Sequence, residues 1–233
     1  MTKDAVRRRI IEIGIVPVIR ASSAELAVAA ARAVCAGGIP IVEVTMTVPN
    51  AIDVIRELIG SMDEQVVIGA GTVLDAETAL QCLEAGAEFL VSPAIDPETI
   101  KLAAARGKLM MAGALTPNEV VTAWKAGSDF VKVFPCGNVG GPSYIKALKS
   151  ALPQIPMVPT GGVNLANAVQ FLEAGASAIG VGSELISTSA LKSGNSDAIT
   201  DSARQFVMLL RKARESSAQF SGLRLGSPVG GGA

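Results

Sequence analysis

Two ionisable residues interrupt apolar segments of this 233-residue sequence, and they are the first candidates for chemistry. Lys132 lies in FVKVF, and Glu43 lies in IVEVT. Successive side chains of a β-strand point to opposite faces, so if the flanking valines face outward, Lys132 points inward. Burial of an ammonium costs several kcal/mol and therefore favours a neutral amine, which is a nucleophile near neutral pH.

Each of these residues also has a purely structural interpretation. Lys132 could be an edge lysine whose stem is buried while its ammonium reaches solvent. Glu43 and Lys132 could form a structural ion pair, or a proton-transfer couple around a Schiff-base lysine. Spacing along the sequence does not decide between these alternatives.

The composition excludes several classes of site and partner. The sequence has no histidine, which removes the usual zinc sites and the Ser-His and Cys-His nucleophile pairs. Its 20 basic and 21 acidic residues argue against nucleic-acid or membrane partners, which need a basic face. No apolar run reaches the ~20 residues of a membrane span. Three cysteines, an odd number, suit a reducing compartment, so we expect a cytoplasmic protein.

The segments between these residues predict alternating strands and helices. A helix-ending glycine, expected in the left-handed conformation, precedes a short apolar strand four times, at Gly37, Gly86, Gly127 and Gly175. Four further apolar runs lie at 14–20, 66–72, 109–115 and 156–162, and a first helix is expected at about 3–13. Eight such strands predict an α/β fold, a single (β/α)8 TIM barrel with an extra N-terminal helix. An open sheet of six to eight strands is the alternative.

The chain shows no linker, so we expect one domain over residues 1–215. Residues 216–233 lose their hydrophobic periodicity and become rich in glycine and serine. This composition predicts a mobile C-terminal tail.

Two glycine-rich turns follow the seventh and eighth predicted strands, in PTGGV and GVGSEL. In TIM barrels the active site lies at the C-terminal ends of the strands, and these two loops frequently hold phosphate. Neither turn contains lysine or arginine, so backbone N–H groups and a possible short helix at 183–186 would hold the anion. Ordinary tight turns are the alternative. Cys136, in FPCGN, has no visible base partner and is expected to be a passive thiol.

Nine motifs occur in one order along the chain: PVIR, EVTMTVPNA, GAGTV, FLVSP, MAGALTPNE, FVKVFP, GGPSYIKALK, VPTGGV and IGVGSELI. Over about residues 10–212 they resemble the 2-keto-3-deoxy-6-phosphogluconate (KDPG) aldolase / 4-hydroxy-2-oxoglutarate (KHG) aldolase family. The resemblance implies a (β/α)8 barrel, usually a homotrimer, that performs class I aldol cleavage without a metal or another cofactor.

The resemblance also implies roles for individual residues. Lys132 would be the Schiff-base lysine, Glu43 the general acid/base, and Thr72 a ligand of the substrate carboxylate. Many members have a carboxylate-binding arginine where this chain has Thr47, and Arg20 is available for an equivalent contact. The other implied residues line the pocket (Pro93, Phe134) or hold phosphate (Gly161, Gly162, Gly182, Ser183).

The implied substrate is a small 2-keto acid. Cleavage of KDPG, or of a related 2-keto-3-deoxy or 4-hydroxy-2-oxo acid, would give pyruvate and glyceraldehyde 3-phosphate or glyoxylate. The galactonate-type phosphate is an alternative substrate. Different functions for the same barrel would be a metal-dependent aldolase, a phosphate-binding isomerase that uses Glu43 without an imine, or a non-catalytic trimeric barrel.

Overall fold

A computed structural model describes the backbone of residues 1–223 and the side chains of residues 1–215. Its strands are β1 Ile15–Ile19, β2 Ile41–Thr45, β3 Val67–Gly71, β4 Phe89–Val91, β5 Leu109–Ala114, β6 Phe130–Val133, β7 Met157–Pro159 and β8 Ile179–Val181. Its α-helices are α1 Lys3–Ile13, α2 Ala24–Ala36, α3 Ala51–Ser61, α4 Ala76–Glu84, α5 Pro97–Ala105, α6 Pro117–Lys125, α7 Pro142–Ala151, α8 Ala168–Glu173, α9 Thr188–Lys192 and α10 Ser196–Leu223.

The eight strands are parallel and form one sheet in the order β7-β6-β5-β4-β3-β2-β1-β8. A bridge between Thr160 and Gly180 joins the two ends of this order and closes the ring. Every residue of the eight strands is buried, because helices cover the outside and side chains fill the inside. The predicted TIM barrel is therefore confirmed, and the open sheet is not formed.

The glycines predicted to end helices behave as expected at three of four positions. Gly86, Gly127 and Gly175 have φ angles of 106°, 103° and 99°. Gly37 has a φ of −79°, and the left-handed residue after α2 is Gly38, with a φ of 95°. The prediction for Gly37 was therefore wrong by one residue, because either glycine of the Gly37-Gly38 pair can end the helix.

Helix α1 lies across the N-terminal ends of the strands, which confirms the predicted extra helix. Lys3 forms an ion pair of 2.8 Å with Asp129, directly before β6. The N-terminal ammonium contacts Glu88, directly before β4, at 3.1 Å. Val6 and Ile10 of α1 are fully buried. This end of the barrel is thus covered, and the C-terminal ends of the strands remain for a site.

Helix α10 runs to Leu223, beyond the boundary that the sequence predicted at residue 215. The segment 216–220, SSAQF, contains no glycine or proline to end a helix, which is why the helix continues into the predicted tail. The rest of that predicted tail, residues 224–233, lies outside the described residues. Among the described helices, none combines the length and the apolar character that crossing a membrane requires.

Helix α10 packs closely on the C-terminal end of α2. The Thr200 hydroxyl donates a hydrogen bond of 3.0 Å to the Ala33 carbonyl. Ala203 and Phe206 of α10 are fully buried. A Cβ atom at Gly37 would meet the Cβ atom of Ala203 and would lie 2.7 Å from the Thr200 carbonyl oxygen. Gly37 is therefore required by the close approach of the two helices.

The substitution Gly37→Ala should reduce the free energy of unfolding by about 1–3 kcal/mol, because the added methyl group overpacks this contact. Gly60→Ala is the matched control, since a Cβ atom there meets nothing within 4 Å. The control should gain about 0.5–1 kcal/mol from the higher helix propensity of alanine. Urea unfolding measures both. Equal stability of the two variants would contradict the described packing of α10 on α2.

Candidate active site

Lys132 and Glu43 meet inside the barrel. Lys132 Nζ lies 3.5 Å from Glu43 Oε1, and the two side chains are only 4% and 2% exposed. The prediction that Lys132 points into the barrel is therefore confirmed. The alternative, an edge lysine whose ammonium reaches solvent, is wrong. The two residues lie on β6 and β2, four strands apart in the ring of eight, so they approach each other across the interior.

A glycine on the neighbouring strand makes room for the Glu43 carboxylate. Glu43 pairs with Gly69 of β3, and Gly71 follows two residues later on the same face. A Cβ atom at Gly71 would lie 2.6 Å from Glu43 Cγ and from Glu43 Cδ. Any larger residue at position 71 would thus displace the carboxylate from its present place.

The ion pair is poorly satisfied by hydrogen bonds. Glu43 Oε1 is buried and accepts no hydrogen bond from any described residue. At 3.5 Å the contact is longer than the 2.7–2.9 Å of a charge-assisted hydrogen bond between an ammonium and a carboxylate. Burial costs several kcal/mol for each ion, and a purely structural pair offsets this cost by close geometry and further hydrogen bonds. The observed pair lacks both, which favours a reactive pair over a structural one.

Phe134 lies beside the buried amine and lines two cavities at the mouth of the barrel. Lys132 Nζ lies 5.5 Å from the centroid of the Phe134 ring. One cavity, of about 420 Å³, is lined by Phe134, Pro93 and Glu119 together with apolar residues of β5. The second, of about 230 Å³, is lined by Phe134 and the two glycine-rich turns. Phe134 and Pro93 therefore occupy the positions that a pocket lining would need.

The second cavity brings together most of the residues predicted to hold an anion. It is lined by Val18, Arg20, Phe134, Thr160, Gly161, Gly162, Val163, Gly180, Gly182, Ser183 and Glu184. Arg20 thus lies with the glycine turns, whereas the family resemblance made it available for a contact with the substrate carboxylate. That location could not be predicted, because the alternating pattern of β1 does not fix the direction of a residue that follows the strand.

The backbone of both turns is arranged to offer donors. The Gly161 carbonyl accepts a hydrogen bond of 2.8 Å from the Gly137 N–H, and the Gly162 carbonyl accepts one of 2.9 Å from Asn167 Nδ2. The Gly182 carbonyl accepts hydrogen bonds from two N–H groups of the turn that follows it. Among the described residues, no acceptor is found for the N–H groups of Gly162 and Ser183.

Free N–H groups beside carbonyls that are already bonded make an anion-binding concavity. Gly161 and Gly162 have φ angles of 86° and 80°, a conformation that side chains with a Cβ atom rarely adopt. The predicted short helix at 183–186 is instead a single hydrogen-bonded turn, in which the N–H groups of residues 185 and 186 share the Gly182 carbonyl. The next helix begins only at Thr188.

Two predicted ligands of the substrate carboxylate differ in the hydrogen bonds they can still make. Thr72, after β3, is strained at a φ of 57°, and its hydroxyl has no partner among the described residues. The Thr47 hydroxyl lies 2.6 Å from the Thr45 hydroxyl, which itself donates to the Ile19 carbonyl at 3.0 Å. Thr45 has one proton to donate, so Thr47 must be the donor to Thr45. Thr72 therefore retains a free donor, and Thr47 does not.

The Cys136 thiol, which follows β6, is unreactive in this arrangement. Cys136 is fully buried, and burial raises the pKa of its thiol to about 12. A thiol with this pKa is not a nucleophile near neutral pH, which agrees with the expectation of a passive cysteine. In the part of the chain that the structure describes, no group of three or more Cys, Asp or Glu side chains is placed to hold a metal ion.

Sequence reasoning missed three features of the site. Gly71 was not identified as the residue that admits Glu43, although its place directly before Thr72 in GAGT is a usable signal. Thr160 and Glu184 were not identified as lining residues of the cavity, although both lie inside the glycine-rich motifs.

The buried pair should appear as a coupling in stability measurements. Lys132→Met or Glu43→Gln alone should each reduce the free energy of unfolding, by up to about 3–5 kcal/mol, because each removes one partner of a buried ion pair. The double variant should lose less than the sum of the two single variants, since it contains neither charge. Urea unfolding of the four proteins checks this. Strictly additive losses would mean that the two groups do not interact.

Comparison with known proteins identifies the family of this chain. The family model described as KDPG and KHG aldolase matches residues 6–202. The KHG/KDPG aldolase of Escherichia coli K12 is 34% identical over 193 residues, which cover 83% of this chain and 90% of that protein. The 2-dehydro-3-deoxy-6-phosphogalactonate aldolase of the same organism is 34% identical over 172 residues, covering 73% of this chain and 83% of that protein.

A solved structure is similar over nearly the same length. The KDPG aldolase of Legionella pneumophila, with pyruvate captured as a covalent carbinolamine intermediate, superimposes with a TM-score of 0.77 at 29% identity. The match covers 85% of this chain and 96% of that one. Because the family model spans most of the chain and a relative 34% identical covers 83% of it, the chain belongs to the KDPG and KHG aldolase family.

Proposed function

We propose that this chain is a class I aldolase that cleaves a 2-keto acid to pyruvate and an aldehyde through an imine on Lys132. The observation that supports this most strongly is the 3.5 Å contact between the buried Lys132 amine and the Glu43 carboxylate. Neither group has another hydrogen-bond or ion-pair partner among the described residues, so both are available to a substrate. The activity makes the protein a carbon–carbon lyase.

The reaction follows from the chemistry of these two groups. Glu43 takes a proton from the paired Lys132 ammonium, and the amine that results attacks the C2 carbonyl. Glu43 then returns this proton to the carbinolamine hydroxyl, which leaves as water and gives a protonated imine, an electron sink. Glu43 accepts the proton of the C4 hydroxyl, directly or through a water molecule. The electrons of the C3–C4 bond move toward the imine, the aldehyde leaves, and an enamine of pyruvate remains on the lysine.

The second half of the reaction restores the enzyme. The proton held by Glu43 returns to C3 of the enamine, which converts it to the imine of pyruvate. Water then hydrolyses the imine, releases pyruvate and regenerates the amine of Lys132. We assign these proton transfers to Glu43, because it is the ionisable group found within 4 Å of Lys132 Nζ among the described residues.

The substrate would be held at both of its ends. We assign the carboxylate of the keto acid to the free hydroxyl of Thr72. Thr47, whose proton is used by Thr45, has no donor left for a carboxylate. Pro93 and Phe134 would line the pocket between the two ends.

We assign the phosphate at the distal end to the second cavity. The four residues expected there by resemblance are Gly161, Gly162, Gly182 and Ser183. Arg20 lines the same cavity and makes no ion pair within the described part of the chain, so its charge is available to a phosphate.

The proposed substrate class is a 2-keto-3-deoxy-6-phospho sugar acid, or a shorter 4-hydroxy-2-oxo acid that leaves the distal cavity unfilled. Relatives named for the KHG/KDPG and for the phosphogalactonate reactions are each 34% identical to this chain. The proposal therefore covers the gluconate-type and galactonate-type substrates, with KDPG as the first to assay. The product aldehyde would be glyceraldehyde 3-phosphate or glyoxylate.

We also propose that the protein is a homotrimer in the cytoplasm. The trimer is supported by family resemblance. The location is supported by the three cysteines Cys35, Cys82 and Cys136, which are all free thiols, as a reducing compartment favours.

Incubation with pyruvate and borohydride should trap the proposed intermediate. We expect the intact mass to increase by one reduced pyruvyl group, and peptide mapping to assign it to Lys132. Lys132→Met should remove the adduct completely. Lys149→Met is the matched control, because burial lowers the pKa of the Lys149 amine, although this residue lies on α7 outside the barrel. Folded wild-type protein that gains no mass, or that is modified at Lys149, would contradict the proposal.

A further inference from the structure

The cavity formed by the glycine-rich turns contains two charged residues of opposite sign. Arg20 and Glu184 are the ionisable residues among those that line it. Both are exposed, and neither side chain forms a hydrogen bond or ion pair with another residue of the described chain. The cavity therefore presents one positive and one negative side chain, and these are not neutralised by each other.

The backbone and the side chain of Glu184 have opposite effects on an anion. The Glu184 N–H belongs to the turn that follows Gly182, and it has no acceptor among the described residues. It therefore adds to the donors that favour an anion. The carboxylate of the same residue brings a full negative charge to the edge of that cavity and opposes the anion.

The electrostatic effect of the Glu184 carboxylate extends over a distance longer than the width of the cavity. The cavity has a volume of about 230 Å³. Electrostatic screening in 0.1 M salt has a length of about 10 Å. Because Glu184 lines the cavity, its carboxylate is expected to act on a phosphate bound there in low salt.

We propose that Glu184 is a specificity-determining residue that weakens the binding of a doubly charged distal phosphate relative to an uncharged distal end. This inference rests on the proposed function. A phosphate ester carries about −1.5 to −2 charges at pH 7, so Arg20 attracts it and Glu184 repels it. Because repulsion by Glu184 offsets part of the attraction by Arg20, the backbone donors supply most of the net attraction. The enzyme would therefore discriminate less strongly between phosphorylated and unphosphorylated substrates.

The test compares KM for a 2-keto-3-deoxy-6-phospho sugar acid with KM for the same sugar acid without phosphate. Glu184→Gln should lower the KM for the phosphorylated substrate about fivefold in low salt. The KM for the unphosphorylated substrate and both kcat values should stay unchanged. The effect should disappear near 1 M salt, where the screening length is about 3 Å.

Two variants control for charge and for shape. Glu184→Asp keeps the carboxylate and should behave as the wild type. Glu173→Gln removes one negative charge from the end of α8, near α1 at the opposite end of the barrel, and should change neither KM. An unchanged or higher KM for the phosphorylated substrate in Glu184→Gln would overturn the proposal. An equal decrease for both substrates would also overturn it.

Calorimetric titration with inorganic phosphate separates this proposal from the proposed function. Glu184→Gln should bind inorganic phosphate about fivefold more tightly than the wild type, whether or not the protein forms an imine with pyruvate. Failure of the imine trap would refute the aldolase reaction alone. Equal phosphate affinity of the wild type and Glu184→Gln would refute the role of Glu184 alone.

Discussion

The site depends on two opposite charges held inside the barrel, away from water. An ammonium and a carboxylate about 4 Å apart attract each other by about 4 kcal/mol at an effective dielectric constant of 20, and each costs several kcal/mol to bury. The Lys132–Glu43 pair, at 3.5 Å, therefore adds little net stability. The surrounding residues keep the Lys132–Glu43 pair in place instead. Gly71 leaves the space that the carboxylate fills, α1 covers the opposite end of the barrel, and Phe134 lies between the amine and the two cavities at the mouth.

The centre and the distal end of the proposed site rely on different kinds of charge. At the centre, proton transfer from the Lys132 ammonium to the paired Glu43 carboxylate would give an amine that can attack a carbonyl and an acid that can return the proton. At the distal end, N–H groups of glycine turns provide partial charges that are fixed by the fold. The carbonyls of those turns are bonded elsewhere, so the N–H groups remain available. Arg20 and Glu184 then adjust the net charge of this cavity without taking part in the chemistry at Lys132.

The fold could be predicted because it follows from periodic patterns. For the central pair, the alternation of the strands predicts the inward direction but does not decide between a structural and a catalytic role. Eight apolar segments separated by helical ones indicate a barrel, and the flanking valines predict that Lys132 points inward. Features that depend on contacts distant in sequence could not be predicted. Arg20 lies beside the glycine turns only because the ring of strands is closed. Thr47 donates its proton to Thr45 only because the Thr45 hydroxyl already donates to the Ile19 carbonyl of β1. The glycine and serine content of residues 216–233 predicts a tail, but α10 continues to Leu223 because the segment 216–220 contains no residue that ends a helix.

The most direct test of the central claim is exchange of the methyl protons of pyruvate in D2O, followed by proton NMR. Exchange requires an imine on Lys132 and a base beside it, and it needs no aldehyde. The wild type should exchange these protons. Glu43→Gln, which keeps the amine, should be slower by about 10²–10⁴-fold because it lacks the base. Exchange at the wild-type rate in Glu43→Gln, or none in folded wild-type protein, would contradict the account of the buried pair.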